Sequence, residues 1–321
     1  DLQLESLAHG VIALTQASPI YGADRRRLRV AKLRGSAFLG GHHDFRIERG
    51  GLRVYPRLVA VDYPRLQTAE KISSGDAGLD ALLGGGLDFG TSTLFLGPAG
   101  TGKSALATLY GRNAAEQGLK PMFFLFEEGL GTFFTRAKLL GTDLLPYVEG
   151  GDAVVQHIDP AEILPGEFAE QVRDAVENRG SRLIIVDSVT GYMNAMLEEN
   201  FLLPQLHELL SYLRRRGVVI VLVMAQHGLV GASMVAPVDV SYLADTVIVL
   251  RHFEANGGLR KAISVIKKRS GVHETAIRQL TIGPGGLRAG EPLTEFRGLL
   301  TGVPTFTGDR SHLAESHGGG D

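Results

Sequence analysis

The sequence predicts an α/β fold with a mostly parallel central sheet, helices on both faces and an antiparallel β extension. Two patterns carry this prediction. Apolar strand-like runs alternate with helix-like segments from residue 92 to residue 226, as a parallel sheet covered by helices requires. After residue 240 the helical segments stop, and strand-like runs joined by glycine-containing turns take over, which indicates an antiparallel edge.

The individual elements follow from hydrophobic periodicity. Four apolar runs predict the parallel strands, at 92–97, 122–127, 183–187 and 218–226. Helical spacing of apolar residues predicts three helices that each end at or beside a glycine, over 103–117, 166–180 and 201–217. The antiparallel extension is predicted as three strands, over 244–251, 261–269 and 274–283.

Composition narrows the class of protein. The 321 residues are 44% hydrophobic and 21% charged, and the formal net charge is −2, so nothing global predicts nucleic acid or anionic lipid as a partner. With no cysteine, the chain has no disulfides, thiolate nucleophiles or cysteine zinc sites. The apolar runs are too short to span a bilayer and no signal segment is present, so we expect a cytoplasmic protein without membrane contact.

The strongest motif is GPAGTGKS, which satisfies the phosphate-loop (P-loop) pattern G-x-x-x-x-G-K-[ST] between a strand and a helix. In such a loop, backbone N–H groups surround the β-phosphate, Lys103 reaches the β- and γ-phosphates, and the Ser104 hydroxyl ligates Mg²⁺. The flanking strand and helix set this match apart from chance in a chain with 42 glycines. The motif predicts ATP and Mg²⁺ as ligands, with nucleotide contacts from Gly97, Pro98, Ala99, Gly100, Thr101, Gly102, Lys103 and Ser104.

Polar residues at the ends of three predicted strands complete the candidate site. Asp187 ends the run LIIVD, where a carboxylate of a P-loop protein holds Mg²⁺ through water. Glu127 and Glu128 follow the run MFFLF, and one of them is placed to orient or deprotonate the attacking water. Because side chains alternate along an extended segment, only one of the pair is expected to face the phosphate. Gln226 ends the run VVIVLVMA and is a candidate for sensing the γ-phosphate.

Three blocks of the sequence occur twice in the same order, at an offset of 235 or 236 residues. They are 4–14 with 240–250, 25–36 with 260–271, and 45–53 with 280–288. We therefore expect residues 1–55 to be the C-terminal remnant of a first unit, 56–70 a linker, 71–306 a complete ATPase unit, and 307–321 a disordered tail. This organisation accounts for the single phosphate loop.

The repeat also draws attention to two cations. Lys267 and Arg269 lie two residues apart on a predicted strand and so project from one face. Such a pair is often a solvated edge of a sheet. The first copy of the repeat carries Lys32 and Arg34 at the matching positions, which favours a functional interpretation: cations supplied to the nucleotide of a neighbouring subunit.

With these residues in place, the chain resembles the KaiC family of RecA-type ATPases from residue 4 to about residue 306. The segments KISSGDAGLDALLGGGL, FEEGL, DSVTGY, MAQHGLVG and YLADTVIVLR are similar to the blocks of that family. The resemblance implies a RecA-like P-loop NTPase fold, two tandem ATPase domains, hexameric rings, ATP bound between subunits, and signalling proteins as partners.

The resemblance also implies roles for single residues. Glu127 and Glu128 match the family's catalytic carboxylates, and Lys267 and Arg269 match residues that reach the neighbour's γ-phosphate. Clock members autophosphorylate an adjacent Ser–Thr pair, for which this chain has Ser241 followed by Tyr242. The resemblance therefore implies serine/threonine autokinase activity at Ser241, and the tyrosine is a departure from the two-site pattern.

Two alternatives remain open. A DNA-dependent motor of the RecA or DnaB type shares the ATPase core, but it needs basic loops that face a channel. The candidate channel segments, 188–200 and 227–239, contain no Lys or Arg, and the first contains two glutamates, so the sequence does not favour nucleic acid. The other alternative is a scaffold that is switched by nucleotide binding and turns over little ATP.

Overall fold

The computed structural model describes residues 2–20, 22–66, 70–194, 202–226, 242–255, 257–299 and 305–307. The helices are α1 Leu2–Leu7, α2 Ala77–Leu82, α3 Lys103–Glu116, α4 Leu130–Leu139, α5 Leu145–Glu149, α6 Pro165–Glu177, α7 Val189–Asn194 and α8 Leu202–Arg215. The strands before the phosphate loop are β1 Gly10–Ala17, β2 Arg25–Leu33, β3 His43–Glu48, β4 Gly51–Tyr55, β5 Lys71–Ile72 and β6 Leu87–Asp88. The remaining strands are β7 Ser92–Gly97, β8 Met122–Leu125, β9 Val154–His157, β10 Leu183–Asp187, β11 Val219–Ala225, β12 Thr246–Ala255, β13 Gly258–Lys268, β14 Arg278–Gly283, β15 Gly286–Pro292, β16 Phe296–Arg297 and β17 Thr305–Phe306.

A nine-stranded sheet forms the centre of the described structure, in the order β15-β14-β13-β12-β7-β11-β10-β8-β9. Its six strands from β12 to β9 pair in parallel, and β13, β14 and β15 extend it in an antiparallel meander. This confirms the predicted α/β class. Because the parallel strands share one direction, the residues at their carboxyl ends meet at one edge, where open α/β sheets bind ligands.

Helices cover both faces of this sheet because its strands are apolar on both sides. Along β7, Leu94 and Leu96 belong to a buried cluster that includes residues of α6 and α8, whereas Phe95 belongs to the cluster on the α2 and α3 side. Helix α3 lies so close to β8 that a Cβ at Gly111 would be 2.2 Å from the Phe123 ring. A glycine at this position therefore sets the distance between the phosphate-loop helix and the sheet.

The predicted antiparallel extension was wrong in its bounds and strand number. Instead of strands over 244–251, 261–269 and 274–283, the structure has four strands, β12 to β15. The last of these, GLRAGEP, carries two glycines and a proline and has little intrinsic strand preference. It is a strand because it pairs with β14, from Gly286 opposite Gly283 to Pro292 opposite Arg278.

A separate four-stranded sheet, in the order β1-β2-β3-β4, precedes the ATPase-like part of the chain. It repeats the meander of β12 to β15, including the position of its irregularity. The register shifts between Val11 and Ile12 in β1, and between Val247 and Ile248 in β12, which is an offset of 236 residues. The repeated sequence blocks therefore form repeated structures, although the assignment of residues 1–55 to a first unit stays a prediction.

The first sheet contacts α6 through polar groups. The Gly166 amide donates to Asp44 Oδ2 over 2.7 Å, and Arg46 Nε donates to Glu167 Oε2 over 2.8 Å. The expected linker, residues 56–70, includes a short 3₁₀ helix, Ala60–Asp62, whose first residue is buried in the core. Among the described helices, none is both long and apolar enough to cross a membrane. The expected tail lies outside the described residues apart from Thr307.

Candidate active site

The phosphate loop joins the end of β7 to the start of α3. Gly102 precedes the first residue of the helix with φ of 103°, a left-handed conformation that glycine adopts without strain. A Cβ at this position would also lie 2.2 Å from Ile282 Cδ1. The glycine is therefore required by the turn of the loop, and a side chain at this position would also have to displace the tip of Ile282.

Lys103 lies at the helix start with its ammonium folded back over the loop. Its Nζ donates to the Pro98 carbonyl over 2.7 Å, and Thr101 Oγ1 donates to the same oxygen over 2.8 Å. Burial lowers the pKa of Lys103 to about 8, although the nearby carboxylates of Asp187 and Glu127 favour its charged form. The loop thus holds a desolvated cation where phosphate oxygens would lie.

Asp187 ends β10 beside the loop, as the strand-end pattern predicted. It is buried, and burial raises the pKa of its carboxyl group, while a hydrogen bond from Ser104 and the charge of Arg136 act in the opposite direction. The Ser104 hydroxyl and the Asp187 carboxylate are thus adjacent oxygen ligands of the kind that Mg²⁺ prefers. The pair fits a magnesium ion that is held jointly by the protein, the nucleotide and water.

The two glutamates after β8 have different partners. Glu127 Oε2 accepts a hydrogen bond from Ser188 Oγ over 2.8 Å, and the Gly191 amide donates to the same hydroxyl over 3.0 Å. Glu128 instead forms a two-pronged ion pair with Arg136, whose Nε and Nη2 lie 3.0 and 2.7 Å from its two carboxylate oxygens. Within the described part of the chain, the carboxylate of Glu128 is thus neutralised by a direct ion pair, whereas that of Glu127 has no ion pair within 4.0 Å, although the Lys103 ammonium is nearby.

These groups surround a cavity of about 650 Å³ beside the phosphate loop. It is lined by Gly100, Gly102, Lys103, Ser104, Ala105, Glu127, Glu128, Gly129, Thr132, Arg136, Leu140, Asp187, Lys261 and Ile282. The structure thus brings Lys103, Ser104, Asp187 and both glutamates to one site.

Sequence reasoning missed the part of the cavity wall that comes from α4 and the antiparallel strands. Arg136 carried one weak signal, since it lies on a helical segment directly after the two glutamates. Lys261 and Ile282 carried none, because β13 and β14 reach the phosphate loop only through the sheet pairing.

Gln226 lies next to the loop but does not line the cavity. Its backbone N–H donates to the Gly97 carbonyl over 3.1 Å, which continues the pairing of β11 with β7. Its side-chain Oε1 is buried and has no hydrogen-bond partner among the residues that the structure describes. The backbone contact connects β11 to the loop, and the role of the side chain in sensing phosphate stays a prediction.

The predicted cation pair lies outside this cavity. Lys267 Nζ donates to the Ala244 carbonyl over 2.7 Å, and Arg269 Nη2 donates to the Tyr242 carbonyl over 3.4 Å. In the first sheet, Arg34 makes the matching contact, since its Nη2 donates to the carbonyl of Ser6, the residue that matches Tyr242, over 3.0 Å. Lys32 donates to the carbonyls of Glu5 and Ser6, whereas Lys267 donates to that of Ala244. A contact of the second pair with nucleotide would therefore involve another subunit. The predicted phosphorylation residue, Ser241, lies outside the described part of the chain.

A family model that matches most of the ATPase-like part of the chain shows to which family the protein belongs. The family model described as "ATPase: KaiC" matches residues 72–293. The chain belongs to the KaiC ATPase family. The RecA-like fold implied by the resemblance is thereby confirmed, and an ATPase domain of this family implies nucleotide binding.

Curated KaiC-family proteins are similar along most of the chain. The circadian clock protein KaiC3 of Synechocystis is 25% identical over 288 residues, which cover 88% of this chain and 56% of that protein. The circadian clock oscillator proteins KaiC of Picosynechococcus and of Synechococcus elongatus are each 24% identical over 281 residues, which cover 88% of this chain and 54% of those proteins. The chain spans about half the length of the curated relatives it matches.

Proposed function

We propose that the chain binds ATP with Mg²⁺ at the phosphate loop and hydrolyses it, as part of a hexameric cytoplasmic ring. The observation that carries this proposal is the convergence of Lys103, Asp187 and Glu127 on one cavity of about 650 Å³. A loop cation, a strand-end carboxylate and a carboxylate that is not tied up by an arginine are the three groups that this chemistry needs from the protein.

Each group has a distinct task in the proposed reaction. The Lys103 ammonium leaves the Pro98 carbonyl and binds the β- and γ-phosphate oxygens. Mg²⁺, held by the Ser104 hydroxyl and, through water, by Asp187, would neutralise charge on the same phosphates. Glu127 orients the attacking water and accepts its proton, and Ser188 fixes the direction of that carboxylate. Arg136 holds Glu128 and adds a positive charge to the cavity wall.

Lys267 and Arg269 complete the proposed site from the neighbouring subunit. Their side chains contact the turn at 242–244 of their own chain and do not line its cavity. A cation that is supplied to the γ-phosphate across an interface couples turnover to assembly.

A second activity, slow autophosphorylation at Ser241, is favoured by one observation. Lys267 and Arg269 contact the carbonyls of Ala244 and Tyr242, which lie three residues and one residue after Ser241 in sequence. If this cation pair binds a neighbour's γ-phosphate, Ser241 is brought close to the same phosphate. This supports phosphoryl transfer from the neighbour's ATP to the serine hydroxyl.

We further propose that residues 1–55 end a preceding unit of the same kind. The repeated meander supports this, and so does a contrast in burial. Ile12 and Leu14 are 61% and 55% exposed, whereas the matching Ile248 and Leu250 are 2% and 0% exposed against the ATPase core. The first sheet would need the core of a preceding unit of the same kind to bury these apolar side chains.

One experiment separates these proposals from the alternatives. We would measure ATP turnover with and without single-stranded DNA and then map phosphorylated residues by peptide mass spectrometry. We expect turnover that DNA does not change. Strong stimulation by DNA would instead support a DNA motor, and tight ATP binding without turnover would support a switched scaffold.

A further inference from the structure

Lys267 and Arg269, the two cations that are proposed to reach the neighbour's γ-phosphate, are together called the finger. Lys268 lies between them in the sequence, and its side chain points away from them. In an extended strand, neighbouring side chains lie on opposite faces, so the side chain of Lys268 lies on the face opposite to those of Lys267 and Arg269. Its side chain is 1% exposed, compared with 52% for Arg269. A lysine that is buried to this extent needs a partner for its charge.

That partner is Asp88, at the end of β6. Lys268 Nζ lies 2.9 Å from Asp88 Oδ2, and it also donates to the Leu83 carbonyl. The same carboxylate oxygen accepts a hydrogen bond from Ser270 Oγ over 2.6 Å. Lys71 Nζ lies 3.5 Å from the other carboxylate oxygen. Asp88 therefore holds the residues on both sides of Arg269.

The first sheet shows that the ion pair between Lys268 and Asp88 is not needed to form the strand end itself. The position that matches Lys268 is occupied by Leu33, which is 43% exposed. Lys32 and Arg34 nevertheless donate to backbone carbonyls of the segment before β1, and the contact of Arg34 with Ser6 matches that of Arg269 with Tyr242. The buried ion pair is thus a feature that the second sheet adds to an already complete strand end.

We propose that Asp88 is a positioning residue for the finger, which fixes the backbone of residues 267–270 so that Lys267 and Arg269 meet the neighbour's γ-phosphate. The proposal rests on the proposed function, because it assumes that the finger acts between subunits. Asp88 is not among the described residues that line its own subunit's cavity. Loss of the Asp88 carboxylate should therefore impair the site of the neighbouring subunit and leave the site of its own subunit intact.

The test uses the full chain with Asp88→Asn, which leaves the Lys268 ammonium buried beside a neutral amide. Lys268→Met serves as a second variant, because it removes that charge and keeps an apolar stem in the same space. Asp152→Asn is the matched control, since Asp152 is exposed just before β9 at the far edge of the sheet. We expect Asp88→Asn and Lys268→Met to lower kcat by about tenfold, part of the effect of a lost arginine finger, with ATP affinity unchanged.

Mixed rings decide whether the defect acts between subunits. Glu127→Gln subunits should bind ATP and carry an intact finger, but they should hydrolyse ATP about 10²-fold more slowly. When they are mixed in equal amounts with Asp88→Asn subunits before nucleotide is added, about half of the Asp88→Asn sites face an intact finger. Activity per Asp88→Asn subunit should then rise about fivefold, close to half of the unmutated value.

Three outcomes would overturn the inference, and a mixture with Arg269→Ala subunits shows whether the proposed function fails with it. If Arg269→Ala subunits are rescued by Glu127→Gln subunits and Asp88→Asn subunits are not, the finger is real and Asp88 does not position it. Unchanged kcat in Asp88→Asn leads to the same conclusion. If Arg269→Ala subunits are not rescued either, the finger between subunits fails, and this inference fails with it.

Discussion

Arg136 donates two hydrogen bonds to Glu128, from Nε over 3.0 Å and from Nη2 over 2.7 Å, so this carboxylate is neutralised within its own subunit. Glu127, the preceding residue, accepts one hydrogen bond from the neutral hydroxyl of Ser188. A carboxylate whose two oxygens are both held by a guanidinium has less freedom to orient a water molecule than one that accepts a single hydrogen bond. The structure therefore favours different tasks for two glutamates between which the sequence offered no means to choose.

The first prediction separates these tasks by single substitutions. Glu127→Gln should lower ATP turnover by about 10²-fold, the lower end of the range for loss of a general base, and leave ATP binding largely intact. Glu128→Gln should lower turnover much less, because its carboxylate mainly holds Arg136. Steady-state kinetics and equilibrium binding of both variants measure this. A larger loss in Glu128→Gln would reverse the assignment, and the double variant should resemble Glu127→Gln.

The second prediction concerns the loop cation. Lys103→Ala should abolish tight binding of Mg·ATP, because the ammonium beside the Pro98 carbonyl is the loop's own cation for the β- and γ-phosphates. Lys138→Ala is a suitable control, because Lys138 is an exposed residue of α4 that does not line the cavity. Isothermal titration of each variant with Mg·ATP measures the difference. Binding by Lys103→Ala at the strength of the control would refute the site assignment.

The third prediction is a pH dependence of ATP affinity. Burial lowers the pKa of Lys103 to about 8, so in the nucleotide-free protein this lysine loses its proton as the pH rises through 8. Bound phosphate favours the ammonium form, so binding at pH 8 should take up about half a proton, and affinity should fall at higher pH. Calorimetry in buffers with different ionisation enthalpies measures the uptake. Lys103→Arg should lose it, because a guanidinium stays charged throughout this range.

The sequence predicted the parts of the site that depend on contiguous residues. The phosphate loop is one local motif, and Asp187 could be located because a buried strand ending in a carboxylate is recognisable by itself. The contacts that position these groups join distant segments. Arg136 with Glu128 required the orientation of α4, and Lys268 with Asp88 required the packing of β13 against β6. β15 was missed for the same reason, since its pairing overrides its weak strand preference.

The fourth prediction is that assembly depends on ATP. A nucleotide bound between subunits stabilises the ring by mass action, so Mg·ATP should raise the mass measured by light scattering. Lys103→Ala should not respond to Mg·ATP, and Arg269→Ala should assemble more weakly than the unmutated chain. The same monomer mass in all samples, with and without Mg·ATP, would count against a ring.

The last prediction is slow phosphorylation of Ser241 by the neighbouring subunit's ATP. The serine hydroxyl needs a carboxylate base, and Glu127 across the interface must then serve both water and serine. Water should usually be deprotonated first, so the phosphorylated fraction should rise slowly and stay below one per subunit. Asp239, two residues before Ser241, lowers the phosphorylated fraction further by repelling polyphosphate.

Peptide mass spectrometry after long incubation with Mg·ATP measures the phosphorylated fraction of Ser241. Ser241→Ala is the control, and Glu127→Gln is expected to lose the signal. An assembled, hydrolysing sample that carries no phosphate on Ser241 would show that the chain is an ATPase without this second activity.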